Sequence, residues 1–392
     1  MFFGLGATVA RVGIGIVGVG FAGSLHVDAI RRLGFVDIVG VASSSLESAR
    51  RKSAEFGISR AYGSYEELIA DPNVHVVHNA TPNYLHTAVN MAAIAHRKHI
   101  ICDKPLALTA AEARKVWEAA QEAGIVHAVI FNYRGNPCVQ QARHMVAHGD
   151  VGTPHFVHGE YLQDWLLEPT DYSWRLEPDR GGSSSALGDI GSHWCDLAEH
   201  ITGLRIESVL ADLTTVVRTR YRPQRAVEAF ARASSHAPAE AVEIKSEDLA
   251  SVLVRFENGA KGSFSVGQVC AGHKNGLRIE VSGQERSLRW DQEQQNELWL
   301  GSRHQANQVL AKDPGLLDPS VRKYAHLPGG HQEGWNDALT NVFRDLYAQI
   351  VDNAKPASPL VATFADGYRI GCIVDAMLAS HAAGNIWMKV CG

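Results

Sequence analysis

The chain has 392 residues, of which 45% are hydrophobic and 20% charged, and its formal net charge is −5. That length exceeds what one compact core usually supports, so two domains are expected. The absence of a Lys/Arg-rich run argues against nucleic acid as the main partner, and no apolar run is long enough to span a bilayer. Residues 1–11 read as a short N-terminal extension, because Met1–Ala10 lacks the basic flank of a signal peptide. The six cysteines, Cys102, Cys138, Cys195, Cys270, Cys372 and Cys391, show no CxxC spacing. Reduced thiols in a cytoplasmic protein are the expectation.

The first predicted element is a buried strand over Val12–Val17, followed by a helix with Leu25, Ala29, Ile30 and Leu33 on one face and Gly34 as its stop. A strand over Val36–Ala42 leads to a helix over Leu46–Phe56. A strand over Val74–Ala80 leads to a helix over Leu85–Ala95, and Ile100–Cys102 to a helix opened by the capping-box pair Thr109 and Glu112. A strand over Ile125–Phe131 closes the series. Strands alternating with helices predict an α/β fold with a parallel sheet covered on both faces, a Rossmann NAD(P)-binding domain over 12–133.

Beyond Tyr133 the rhythm changes. Strands are predicted at 154–165, 249–256, 261–269, 277–282 and 286–291, with a hairpin signal at Glu257-Asn258-Gly259. Strands without intervening helices predict a mostly antiparallel sheet, with helices at 138–148 and 190–201 on one face. Residues 218–245 and 302–335 read as loops. The segment 134–392 is expected to form a second α/β domain for substrate binding and oligomerisation.

Two GxGxxG patterns overlap, Gly13-Gly15-Gly18 and Gly18-Gly20-Gly23. A phosphate loop must leave the first strand and open the first helix, and only the second pattern does so. Gly18 permits the turn, Gly20 the approach of a pyrophosphate, and Gly23 close packing of helix on strand. Phe21 and Ala22 begin the helix, whose free N–H groups suit phosphates. At the end of the second strand, where an NAD enzyme commonly places Asp or Glu, stand Ser43, Ser44 and Ser45, with Arg50 and Arg51 beyond. The serines and arginines favour NADP or tolerance of both cofactors, while Ser45 also suits a helix cap.

Three motifs follow later strands: Thr81-Pro82-Asn83 with His86, Asp103-Lys104-Pro105, and Asn132-Tyr133-Arg134. Lys104, at a strand terminus, is placed to steady a substrate oxygen. On a helix from about Ile190, Asp189, His193, Asp196 and His200 share a face, and Asp189 lies four residues from His193. A carboxylate beside imidazole suits a general base held near working pH. The same pattern also fits an N-capping aspartate beside a buried, hydrogen-bonded histidine. A metal site is not expected: no further ligand is evident, and His155 and His158 lie three apart on a strand, on opposite faces.

As a set, the glycine loop, Ala80-Thr81-Pro82-Asn83 with His86, Asp103-Lys104-Pro105 and the pattern Asp189-x-x-x-His193-x-x-Asp196 resemble the glucose–fructose oxidoreductase / inositol dehydrogenase / MocA family. The resemblance covers nearly the whole chain. It implies a Rossmann domain followed by a domain with an open, mostly antiparallel sheet, and a homodimer or homotetramer formed through that sheet. It implies that Lys104, Asp189 and His193 form the catalytic triad, and that Ser43 and Ser44 stand where the cofactor is chosen. Thr81, Asn83, His86 and Asp103 are then expected at the cofactor, with Asp103 in place of the Glu that most members carry. Tyr161-Leu162-Gln163-Asp164-Trp165 and Tyr172-Ser173-Trp174-Arg175 resemble the monosaccharide and anhydrosugar dehydrogenases. Tyr133, Arg134, Asp164, Trp165 and Arg175 are accordingly expected at the substrate, although aromatic packing on the sheet fits the same residues. The implied activity is hydride transfer between a secondary alcohol of a sugar or cyclitol and NAD(P). An NAD-dependent glycosidase of the family and a non-catalytic NADP-binding regulator are the alternatives.

Overall fold

In the computed structural model, which describes residues 11–223, 239–352 and 360–391, the apolar run Val12–Val17 forms β1 and is buried along its whole length. Burial on both faces is what a central parallel strand requires. Around it stand β2 (Val36–Ala42), β3 (Arg60–Tyr62), β4 (Val76–Asn79), β5 (His99–Asp103) and β6 (His127–Ile130). Their order is β3-β2-β1-β4-β5-β6, and every pair is parallel. The crossovers are α1 (Phe21–Arg31), α2 (Leu46–Glu55), α3 (Tyr65–Ala70), α4 (His86–Ala95) and α5 (Ala110–Ala123). The strand order reverses between β1 and β4, which opens a crevice at their carboxyl ends. Strand β3 and helix α3, three and six residues long, are too short to show a period and lie outside the sequence expectations.

The second sheet has nine strands. It is built from β7 (Pro154–Leu162), β8 (Ile206–Thr214), β11 (Leu249–Phe256), β12 (Lys261–Gly267), β13 (Gly276–Gly283), β14 (Ser287–Asp291), β15 (Glu297–Gly301), β16 (Gln308–Ala311) and β17 (Met388–Lys389). Their order is β16-β15-β14-β13-β7-β12-β11-β8-β17, antiparallel except for β7 with β12. Buried and exposed residues alternate along β11, so one face packs and the other does not. Helices α6 (Pro137–Ala147), α8 (Ser192–Thr202) and α10 (Phe364–Ala382) cover the packed face. Trp194 of α8 stacks on Phe264 of β12 with ring centroids 4.2 Å apart.

Two stretches expected as loops contain strands. Residues 218–245 include a hairpin of β9 (Thr219–Pro223) and β10 (Ala239–Glu243), whose tip lies outside the described residues. Residues 302–335 include β16. Pro178–Gly181 forms a single turn, α7.

The last helical segments also revise the linear division of the chain. Helix α9 (Trp335–Asp352) crosses back to the first sheet, where Leu339, Val342, Phe343, Leu346 and Tyr347 share one core with Ile14, Ile16, Ile30 and Ile101. The Tyr347 hydroxyl meets His78 Nε2 at 2.7 Å. The segment after Tyr133 therefore completes the first core as well as building the second.

Candidate active site

The carboxyl ends of β1, β4, β5 and β6 face the end of the second sheet across a cleft of about 1260 Å³. Gly18, Gly20, Phe21, Ala22, Ser43 and Ser44 line one end of it, and Asp103, Lys104, Asp189 and His193 the middle. Tyr133, Tyr161, Gln163, Arg175, Lys274 and Asn275 line the other end.

The glycine loop has the geometry that strand context implies. Gly18 adopts φ +86°, a left-handed conformation that disfavours other residues. A Cβ on Gly23 would lie 2.0 Å from the Gly18 carbonyl oxygen, whereas one on Gly20 would meet nothing within 4 Å. Gly23 thus serves packing, and Gly20 faces the open cleft. Gly13 and Gly15 lie inside β1, where a Cβ would strike Asn73 and Leu68. No side chain caps α1 and its first turn holds no acid, so its N-terminal N–H groups remain available to phosphate. Ser45 accepts from Ser48 N as the cap of α2. Arg50 and Arg51 are exposed away from the cleft; Lys52 lines it instead, beside Ser43 and Ser44.

The loops after β4 and β5 are tied together beneath the cleft. Thr81 Oγ1 donates to Asn79 Oδ1 at 2.7 Å, and Asn83 Nδ2 to the Gly181 carbonyl at 3.3 Å. His86 sits between the carbonyl oxygens of Pro105 and Thr81, at 2.6 and 2.9 Å. It is buried and absent from the cleft wall. Against expectation it braces both loops instead of facing the cofactor. Asp103 reaches the cleft, with His26 Nε2 at 3.5 Å behind it.

Lys104 follows β5, and its peptide bond to Pro105 is cis. Its Nζ donates to both the Asp189 carbonyl and Oδ1, each at 2.6 Å. Asp189 does not cap α8: it lies in a π-type turn over Leu187–Gly191 that leads into that helix. Such wide turns re-aim side chains and recur at functional sites. Its other oxygen, Oδ2, accepts from Gln268 Nε2 at 2.9 Å, and Arg175 Nε stands 3.6 Å from Oδ1. Burial alone would raise the carboxyl's pKa, but Lys104, then Arg175, hold it well below the carboxylate range.

His193 differs from its expected setting. Among the described residues nothing hydrogen-bonds its ring. The ring stands edge-on to Phe131, Tyr133 and Tyr161, with centroids 5.5, 5.1 and 6.2 Å away. Burial, then the Lys104 charge, lower its pKa to about 3, against the opposite pull of Asp189. The imidazole is therefore neutral at working pH, and its desolvation outweighs the carboxylate.

Three residues expected at the substrate lie elsewhere. Arg134 points into the core and forms a buried pair with Asp196, with Nη2 2.5 Å from Oδ1. Asp164 is held by Lys274 at 2.6 Å and by Gly272 N, so Lys274 fronts the cleft in its place. Trp165 packs with Leu166, Leu176 and Ile244 in a satellite core. His200 also leaves the Asp189 group, and meets Gln140 Nε2 at 2.8 Å. Conversely, Asn275 is a hub that sequence spacing does not reveal. Its Oδ1 accepts from Tyr161 at 2.6 Å and Gln163 at 3.1 Å, and its Nδ2 donates to Tyr133 at 3.0 Å.

Comparison with known proteins places this geometry. The pattern of the oxidoreductase family with an NAD-binding Rossmann fold matches residues 12–131, and that of the GFO/IDH/MocA C-terminal domain matches 139–289. The chain belongs to the GFO/IDH/MocA family. It is an NAD-binding oxidoreductase. Levoglucosan dehydrogenase of Pseudarthrobacter phenanthrenivorans is 31% identical over 394 residues, covering 97% of this chain and 98% of that one. The structure of levoglucosan dehydrogenase with NADH and L-sorbose is similar at TM-score 0.87 and 29% identity, covering 97% and 99% of the two chains. An inositol dehydrogenase homolog from Azotobacter vinelandii, complexed with NAD+, is similar at TM-score 0.86 and 26% identity, covering 99% and 100%.

Proposed function

We propose that this protein reversibly oxidises a secondary alcohol of a monosaccharide, anhydrosugar or cyclitol. The observation that carries the reading is a tethered ammonium beside a neutral, unbonded imidazole in the middle of the cleft. When bound, the nicotinamide cofactor supplies the hydride acceptor. Gly18, Gly20 and the start of α1 would hold its pyrophosphate, for which the open space at Gly20 and the uncapped helix end are suited.

An ammonium has three N–H donors, and Lys104 uses two on Asp189, which leaves one for a substrate oxygen. That donor is positioned in advance, so it steadies alkoxide charge without reorganisation. His193 accepts the hydroxyl proton at a ring nitrogen as the C–H bond transfers its hydride, and the product is a carbonyl. The aromatic edges around His193 exclude water, and Asn275 fixes the Tyr133, Tyr161 and Gln163 side chains that face the substrate end.

Ser43, Ser44 and Lys52 offer no carboxylate to repel a 2′-phosphate, which supports use of NADP as well as NAD with a lean to NADP. The uncovered face of the second sheet exposes Phe156, Leu253 and Val309, which supports a homodimer or homotetramer. Light scattering on the purified protein tests the subunit count.

Assay of a panel of monosaccharides, inositols and anhydrosugars with each cofactor tests the activity. Lys104→Ala and His193→Ala should each abolish NAD(P)H formation while cofactor binding by fluorescence persists. Near-normal rates in either variant sink the mechanism, and a clear preference for NAD overturns the cofactor lean.

A further inference from the structure

Asp189 owes its placement to the far side of the site, where a row of buried groups leads away from the cleft. Glu247, 4% exposed, accepts at one oxygen from Ser184 Oγ at 2.7 Å, Ser185 N at 3.0 Å and Leu187 N at 2.9 Å. Its backbone carbonyl accepts from Ala186 N at 3.1 Å. These bonds fix the start of the turn that carries Asp189. Ser185 Oγ then donates to Gln268 Oε1 at 3.2 Å, and Gln268 Nε2 donates to Asp189 Oδ2 at 2.9 Å.

Gln268 is 1% exposed and leaves the end of β12, where its own N–H meets the Asp248 carbonyl at 2.9 Å and its carbonyl accepts from Leu166 N at 3.1 Å. The amide thus has both ends fixed and its backbone locked. With Ser185 on the oxygen, only the NH₂ can face the carboxylate. Such a donor binds an oxygen with a free lone pair and denies Oδ2 a proton.

We infer that Gln268 is a positioning residue for hydride transfer. It holds Asp189 Oδ2, turns Oδ1 toward Lys104, and so aims the third N–H of the ammonium at the substrate oxygen. This rests on the roles proposed above for Lys104 and Asp189. Gln268 touches neither substrate nor cofactor in this role, and acts through Asp189.

The chemical signature is a dependence on the character of the group at position 268. Gln268→Leu keeps the volume and removes the donor. Gln268→Glu places a second carboxyl within hydrogen-bond distance of Asp189, and two such groups share one proton because both cannot ionise cheaply. The charged and titratable groups around this pair are Asp103 at the end of β5 and Lys104 after it, Arg175, His193 on α8, Tyr133, Tyr161, and Glu247 with Asp248 before β11. The shared proton replaces the amide N–H at low pH, and its loss at higher pH sets two carboxylates against each other.

Turnover of purified holoenzyme variants is measured from pH 5 to 9 as a ratio to wild type, with cofactor affinity and melting temperature followed in parallel. Gln268→Leu is expected to lower kcat about 100-fold with cofactor affinity unchanged, the scale of a misplaced reacting group. Gln268→Glu should approach wild-type kcat at the acid end and fall away as pH rises. Ser185→Ala, which frees the amide without touching the Glu247 bond to the backbone, should show a smaller fall in kcat and serves if Gln268→Leu does not fold. Wild-type kcat in Gln268→Leu, or an equal loss at every pH in Gln268→Glu, overturns the inference. So does an unchanged kcat in Ser185→Ala when Gln268→Leu is unfolded. Lys104→Ala run alongside separates the two readings: if it remains active, the site assignment has failed, and if it is dead while the Gln268 variants match wild type, only this inference has failed.

Discussion

Asp189 and Asp196 lie seven residues apart on one helical stretch, and each meets a cation at about the same distance, 2.6 Å to Lys104 and 2.5 Å to Arg134. The pairs nonetheless do different things. The Asp189 and Lys104 side chains are 18% and 19% exposed at the cleft, and those of Asp196 and Arg134 are 1% and 8% exposed in the core. Burial, against the pull of Arg134, lifts the Asp196 pKa to about 6, while Lys104 and Arg175 overcome burial at Asp189. Lysine retains a donor for a ligand, whereas the arginine fork closes on its partner with Nε and Nη2 together. What separates the reactive pair from the structural one is that the ammonium opens onto the cleft while the guanidinium is enclosed in the core.

The contrast breaks most directly at Asp189. Asp189→Asn should lower kcat by about 10²–10³-fold, measured at saturating cofactor, with a melting temperature close to wild type. An active variant would remove Asp189 from the mechanism. Arg134→Met should do the reverse, since it leaves a buried carboxylate unpaired. A loss of about 3–5 kcal/mol in unfolding free energy is expected, read by urea titration, with substrate KM unchanged in the folded fraction. A raised KM at full stability would return Arg134 to the substrate site.

Smaller effects sharpen the same point about buried charge. Besides His193, burial lowers the pKa of His78, His86, His127 (to about 4) and His200. The unfolded chain binds protons at these groups below about pH 6.5 and the folded chain does not. Stability is therefore full above pH 6.5 and falls as pH drops, for His127 and His193 toward folded values of about 4 and about 3. His127 and His193 each contribute a slope of about 1.4 kcal/mol per pH unit in that window. Calorimetry from pH 8 to 5 should show the melting temperature dropping steeply below 6.5, and a flat profile would mean these rings are charged in the fold. The smallest effect is expected at Gly20. Gly20→Ala should leave the melting temperature unchanged and weaken cofactor binding about tenfold, because its Cβ meets only the cleft. Gly23→Ala should instead destabilise the fold, with its Cβ 2.0 Å from Gly18 O.

Sequence pattern reaches some of these distinctions and not others. Most of the first sheet is legible because buried strands lead to a glycine turn or a capped helix, as at Gly18, Ser45 and Thr109. Lys104, Asp189 and His193 are read as a set from the family resemblance, and the structure lines one cleft with all three. Arg134, Asp164 and Trp165 are not, since a side chain's direction off a strand end depends on what packs around it. Gln268 and Asn275 carry no local signal: each is one amide at the edge of a strand, and the partners that give it a role are remote in sequence. The setting of His193 was also hidden, because four-residue spacing permits a contact with Asp189 that Lys104 and Gln268 preempt.

Helix α9 has a consequence for how the chain is made. The six parallel strands leave the ribosome long before residues 335–352 do, and until then the α1 side of their sheet lacks Phe343, Leu346 and Tyr347. Contacts of such wide sequence separation form late and slowly. The nascent cofactor-binding half therefore carries an unsealed apolar seam until α9 arrives, and a fragment ending near residue 133 would keep that seam permanently.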